Sequence, residues 1–393
     1  MLPFWLDPRP TRRPTLSGKQ QFDVVVVGGG LCGVSTAWHL VEAGFSVALV
    51  EARGIAFSAT GRNAGFILQG TAERYNRAIT QMGRDMARSI HAFSLDNHRM
   101  MRETIEKYDI DCEYLCRGSL QLASSKEEEY DLLDAVELLV EDGFHAELLE
   151  GEELGEPYLS AGFQTGILLP EDGELNPARF VRLVADLAEQ KGLTIFENSP
   201  VLNIDSGDNV TVHTAGGSIT SEIAVLCTNA KLGEVLPSYE QYVSPVRGQM
   251  LTTAPVPQLF NQPIYADHGF DYWRQTPAGR IVLGGWRNLD PETEVGHDEI
   301  LNDGIQEKMR QFLMKFKGLE NLQITHQWSG IMGFSQDGLP LVGALPGSQN
   351  ILIGAGFTGH GFGFAWLAGH ALTQMLTEGQ NEFASLCPPS RFI

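Results

Sequence analysis

Residues 22–51, FDVVVVGGGLCGVSTAWHLVEAGFSVALVE, leave few alternatives for what the chain around them can become. Residues 24–27 are a run of four valines, the pattern of a parallel strand buried on both faces. Gly28, Gly30 and Gly33 follow at G-x-G-x-x-G spacing. Gly28 permits a tight turn, Gly30 lets backbone approach a diphosphate, and Gly33 lets the next helix press against the sheet. That helix keeps Val34, Ala37, Leu40 and Val41 on one stripe and stops at Gly44, so its N-terminal amides, with Leu31 and Cys32 in the first turn, face the anion. A second apolar run ends at Glu51, about 20 residues past the glycines, where a carboxylate can accept ribose hydroxyls. The unit reads as a dinucleotide holder, and by itself it does not separate NAD from FAD.

A chain of 393 residues is long for one core and predicts two or three domains. Lys and Arg number 28 against 49 Asp and Glu, so the formal charge is 28 − 49 = −21, which argues against nucleic acid or an anionic membrane as partner. The five cysteines, Cys32, Cys112, Cys116, Cys227 and Cys387, are too scattered for a disulfide framework. They fit a reducing, cytoplasmic setting, and no companion ligands give Cys112 and Cys116 zinc spacing, so no metal is expected. The N-terminus lacks an apolar segment of signal length after Arg12-Arg13, and no run approaches a membrane span.

Residues 1–20 are proline-rich and predict an extended arm with Phe4 and Trp5 as anchors. Residues 52–70 are too rich in Gly, Ser and Asn for helix or strand and predict a functional loop. Helical spacing runs over 71–108, with His91 and His98 expected at the helix surface. A strand is expected within 118–125, an acidic helix over 126–141, and a helix capped by Asn176 and Pro177 followed by a strand ending at Pro200. Residues 210–214 and 218–227 predict a hairpin and a buried strand. Segments 243–253 and 270–288 alternate like strands of a second, largely antiparallel sheet, and a polar helix is expected over 298–317. The last segment, 351–376, is again apolar strand, glycine loop and helix. The fold class is therefore α/β: a discontinuous Rossmann-like domain over 21–85, 170–238 and 326–393, and a substrate domain over 86–169 and 239–325 on an antiparallel sheet.

With VVVVGGGLCGVSTAWHL and VALVEAR, SATGRNAGF, WSGIMGFSQDGLPLVG and GAGFTGHGFGFAWLAGH in place, the chain resembles the D-amino-acid oxidase superfamily of FAD-dependent amine oxidoreductases. Within its glycine and sarcosine oxidase branch it looks most like the γ-glutamylputrescine oxidase group. The resemblance implies FAD as cofactor. It implies that Glu51, Ala52 and Arg53 hold the adenosine ribose, and that Thr60, Arg62, Asn63, Ala64 and Gly65 pass beside the diphosphate and the isoalloxazine. It further implies that Val201 gives a backbone contact to adenine, and that Gly356, Phe357, Thr358, Gly359, His360 and Gly361 bring a helix N-terminus to the flavin's pyrimidine edge.

Two departures from relatives carry weight. The cysteine by which monomeric sarcosine oxidases tether flavin is absent between Cys227 and Cys387, and Thr60-Gly61-Arg62-Asn63 replaces the histidine used by dimethylglycine dehydrogenases; non-covalent FAD is expected. The two arginines that clamp the α-carboxylate in glycine-oxidase-like enzymes correspond to Met332 and Thr358. A buried carboxylate without a cation costs several kcal/mol, so a small α-amino acid in the usual pose is disfavoured unless Arg62, Arg274 or Arg287 supplies charge from elsewhere. The implied reaction passes hydride from a neutral primary or secondary amine to flavin N5 and gives an imine. Water hydrolyses the imine to an aldehyde or keto product and an amine, and O2 or another acceptor takes the electrons. Tyr272, Arg274, Trp286 and Arg287 are the expected substrate walls, with Tyr272 and Arg274 on one strand face, and His360 is expected to tune the flavin or the amine proton. The strand at 280–285 has no lysine of the kind that speeds reaction with O2 in sarcosine oxidases, so a dehydrogenase stays open. A tRNA-modifying flavin domain and a flavoprotein module without turnover are further alternatives, the former disfavoured by charge. The particular amine and the oligomeric state are not legible.

Overall fold

The computed structural model describes residues 2–6 and 13–393; residues 1 and 7–12 of the expected arm, Arg12 among them, lie outside the described part. Strand β1, Gly18–Val27, helix α1, Leu31–Glu42, and strand β2, Val47–Val50, form the unit read from the sequence. Val24 to Val27 are at most 3% exposed, and each such side chain contributes about 1.5–3 kcal/mol when fully buried. The strand begins earlier than the valines because its polar half, Gly18 to Phe22, pairs in parallel with Gly217 to Ser221 outside the apolar core.

The first sheet runs in the order 341–344, 351–355, 217–226, β1, β2, 194–196, and the hairpin Val201–Ser206 and Val210–Thr214 extends from Gly217–Leu226. The central pairings are parallel, as expected for strands that bury both faces. Helix Gly361–Thr377 packs on α1: Ser35 Oγ donates to Trp366 O at 2.7 Å, and a Cβ on Gly369 would lie 2.4 Å from Ser35 Oγ. The capped helix is Pro177–Gln190, where Asn176 accepts from Arg179 N–H.

The second sheet runs 324–335, 243–253, 281–285, 271–275, 264–266, 119–122, 165–169, 147–150. All its pairings are antiparallel except Ile264–Ala266 with Ser119–Leu122. Strand Ile324–Ser335, which spans the expected boundary at 326, pairs within this sheet. A separate core of Trp273, Phe260, Phe312 and Phe316 lies beneath this sheet.

The helical stretch expected over 71–108 is two helices, Tyr75–Met82 and Arg84–Lys107, broken at Gly83 with φ of 84°. The polar helix is shorter than expected, Asp303–Leu313, and starts at Asn302, whose side chain caps Ile305 N–H. His91 and His98 are buried rather than at the surface. The buried stripe of their helix mixes apolar Ala87, Ile90, Met101 and Ile105 with polar His91, Ser94, Asn97 and His98, and the helix packs on the Gly361–Thr377 helix. Asn97 pins the two by donating to Phe362 O at 2.8 Å and accepting from Leu367 N–H at 3.0 Å.

Candidate functional site

The first glycine turn has the geometry its spacing predicts. Gly28 has φ of 109° and donates to Val50 O at 2.8 Å; a Cβ there would lie 2.5 Å from Cys227 O. A Cβ on Gly33 would lie 1.8 Å from Gly28 O, so this glycine serves helix packing and does not line the cavity. Gly30 has only Thr60 Oγ1 near its open side, at 3.2 Å. Thr60 Oγ1 also accepts Leu31 N–H at 3.0 Å, which ties the 52–70 loop to the first turn of α1. Glu51 is 8% exposed and accepts Gly29 N–H at 2.7 Å and Arg53 N–H at 2.8 Å. Each of its oxygens keeps a further lone pair toward the cavity, and burial raises the carboxyl's pKa against those hydrogen bonds.

The cavity that begins here is lined by Gly28, Gly30, Leu31, Cys32, Glu51, Ala52, Arg53, Thr60, Asn63, Ala64 and Val201, and at its far end by Phe357, Thr358, Gly359, His360 and Gly361. Besides Gly33, three expected contacts are not at its wall. Arg62 turns away: it pairs with Glu299 at 2.7 Å and donates to Ser329 O at 2.8 Å and Phe57 O at 3.1 Å. Gly65, with φ of 79°, is packed so that a Cβ would lie 2.2 Å from Leu175 O. Gly356, with φ of 71°, donates to Asn229 Oδ1 at 3.0 Å and shapes the turn from behind. Thr358 adopts a positive φ of 48°, its N–H donating to Gly333 O at 2.8 Å and its hydroxyl accepting Ser335 N–H at 3.2 Å.

Beyond the glycine turns the cavity opens between the two sheets. Tyr272, Tyr265, Met332, Phe334, Arg287 and His360 face it. Tyr265 stands opposite Tyr272 on the neighbouring strand, with ring centroids 5.7 Å apart and edge to face, and Tyr265 lies 6.2 Å from His360. Burial pushes the Tyr272 phenol up to about 12 and also raises that of Tyr265. Burial, with a smaller contribution from Arg287, pushes His360 down to about 4. All three side chains are therefore uncharged at neutral pH.

Two expected substrate walls are structural. Arg274 shares the strand face of Tyr272 but is fully buried beneath the 52–70 loop, donating to Ala64 O at 2.6 Å and Leu175 O at 2.7 Å beside Glu174 at 3.3 Å. Trp286 has φ of 59°, which breaks the strand alternation and turns the indole into the second core against Phe312, 5.0 Å between centroids. That same turn leaves Arg287 facing the cavity. Tyr265 was missed, although its place beside a proline-led strand opposite Tyr272 carried the signal. Arg74 and His268 at the cavity mouth were also missed, and nothing local marks them: Glu128, Asp267 and His268 converge with Arg74, whose guanidinium ion-pairs with Glu128 and lies 3.0 Å from His268 Nδ1.

A family model described as FAD dependent oxidoreductase, DAO, matches residues 23–375. The chain belongs to the DAO family of FAD-dependent oxidoreductases, enzymes acting on amines or amino acids. It is 28% identical over 383 residues to gamma-glutamylputrescine oxidoreductase of Escherichia coli, covering 94% of this chain and 87% of that one. It is 27% identical over 366 residues to glycine oxidase of Bacillus licheniformis, covering 91% and 94%. In fold it is similar to L-proline dehydrogenase from P. horikoshii, with TM-score 0.81, 23% identity and coverage of 96% and 98%. It is likewise similar to glycine oxidase from Geobacillus kaustophilus, with TM-score 0.78, 22% identity and coverage of 92% and 96%. The residues present fit FAD: an open Gly30 cradle, a buried acid with free lone pairs at the end of β2, and a cavity continuous from there to the Gly361 helix terminus. Among the described residues no helix is long and apolar enough to cross a membrane.

Proposed function

We propose that this chain oxidises a C–N bond of a primary or secondary amine of the γ-glutamylputrescine type, in which the reacting amine is remote from any carboxylate. Flavin binding belongs to the first sheet and its three glycine turns, and the second sheet encloses the substrate. The observation that carries the reading is that Met332 and Thr358 line the cavity where glycine-oxidase-like enzymes place their carboxylate clamp. A small α-amino acid would there bury its charge against a thioether and a hydroxyl already engaged with Ser335.

When bound, FAD supplies the hydride acceptor. The chain's residues do the rest by position and environment. Neutral Tyr265, Tyr272 and His360 make an uncharged wall that excludes water and favours the unprotonated amine. The N-terminus of the Gly361–Thr377 helix meets the cavity and favours negative charge there. Attachment is non-covalent: Cys32 and Cys227 line the cavity, but they are buried 3.6 Å from one another, and the Cys32 thiol is raised well above its ordinary value by that contact and by burial. A cytoplasmic location fits the free cysteines among the described residues. The absence of lysine from strand Ile281–Gly285 favours a second reading, a dehydrogenase that passes electrons to an acceptor other than O2.

The test is product analysis after turnover of an N-acylated diamine in air, followed by acid precipitation. The reading expects an N-acyl amino aldehyde and ammonia, flavin released into the supernatant, and peroxide in an amount equal to the aldehyde. Aldehyde that accumulates only when an artificial electron acceptor is added, without peroxide, selects the dehydrogenase, and glycine turned over faster than the diamine rejects the substrate assignment.

A further inference from the structure

Arg287 stands apart from the other buried arginines. Arg274 pairs with Glu174, Arg62 with Glu299, Arg74 with Asp131 and Arg13 with Asp186. Arg247 has Glu294 and three backbone carbonyls. Arg287 is half-buried, yet among the described residues it has neither a carboxylate at ion-pair distance nor a side-chain hydrogen bond. Its guanidinium instead lies over two aromatic rings, 4.5 Å from the Phe270 centroid and 5.2 Å from that of Phe334. A chain with 49 acids and 28 bases does not lack carboxylates to place beside it. These contacts leave its five N–H donors free, and the residue lines the cavity that holds Tyr272 and His360.

We propose that Arg287 anchors a carboxylate of the substrate, set apart from the reacting amine. This rests on the amine-oxidising reading and narrows it to amines that carry an anion at their far end. A desolvated cation left without a partner costs free energy that a bound carboxylate returns through paired, charge-assisted hydrogen bonds. A single planar fork matches a carboxylate, and a phosphate dianion would call for a second free cation. The lysine and the other arginines that line the cavity are already committed, Arg74 to Glu128 and Asp131, Arg53 to Glu299 and Lys231 to Glu234. The carboxylate site thus lies on the second sheet, at position 287, and not at positions 332 and 358.

The test titrates glutarate, which has no amine to oxidise, into the FAD-loaded enzyme and reads the perturbation of the flavin absorbance, with glutaramide as the uncharged control. Arg287→Gln is expected to weaken glutarate by about 10- to 100-fold, and Arg287→Lys by less. Arg287→Met, which keeps an unbranched apolar side chain against the two rings, replaces the glutamine variant should that one lose flavin. In turnover, the ratio of kcat/KM for a carboxylate-bearing N-acyl diamine to that for putrescine should fall by the same factor. Glutarate affinity within twofold of wild type in a flavin-loaded variant, or no preference for glutarate over glutaramide in the wild type, overturns the assignment. If no amine reduces the flavin, the amine reading fails by itself, and the glutarate titration still decides the role of Arg287.

Discussion

Arg274 and Arg287 are thirteen positions apart, read alike in the sequence, and have opposite fates. Arg274 is 0% exposed, ties the 52–70 loop to the second sheet and neutralises Glu174. Removing it leaves a buried carboxylate unpaired and two carbonyls unsatisfied. Arg274→Ala should therefore cost about 3–5 kcal/mol in urea unfolding and loosen flavin, and a cost under about 1 kcal/mol would refute its structural role. His360 gives a second prediction. With its pKa pushed down to about 4 by burial, the ring is neutral throughout the range in which an unperturbed histidine titrates. The pH profile of anaerobic flavin reduction should show no limb near 6.5 that disappears in His360→Asn; such a limb would mean a solvated, protonatable imidazole. The difference between the two arginines was not legible, because strand alternation assigns a face and does not say where along that face a cavity ends.

Elements were legible where periodicity and end signals agreed. The acidic helix occupies Lys126–Glu141 and the long strand Val243–Thr253, both as the sequence predicts. The Arg84–Lys107 helix misled only for His91 and His98, because its buried face carries Ser94, Asn97 and the two histidines beside Ile90, Met101 and Ile105. Trp286 misled for a different reason, since a single residue at positive φ ends the alternation that placed it. The N-terminal segment makes Phe4 and Trp5 more than loose anchors. Trp5 is 5% exposed, donates to Asn63 O at 2.7 Å and lies 5.1 Å beneath the Arg274 guanidinium, while Leu6 closes against Gly61. This segment is a strap across the flavin loop. Trp5→Ala should lower stability by about 3 kcal/mol and weaken FAD retention in equilibrium dialysis. Unchanged FAD affinity would show that the loop holds its shape without the strap.

At the scale of the molecule, the nucleotide unit, the returning strand Gly217–Leu226 and the C-terminal strand, loop and helix come from distant parts of the chain and meet in one sheet. Their local patterns were readable one at a time; their adjacency followed from the family resemblance, since nothing in strand periodicity fixes neighbour order. The cavity's composition was less legible, because its walls come from both sheets and from turns at positive φ. The proposed chemistry is that flavin is reduced by an amine whose anion is bound at a distance. The most direct measurement is stopped-flow reduction of the FAD absorbance without O2, comparing γ-glutamylputrescine with glycine at equal concentration. The account predicts rapid bleaching by the former and little by the latter. Bleaching by glycine at the same rate or faster would contradict it.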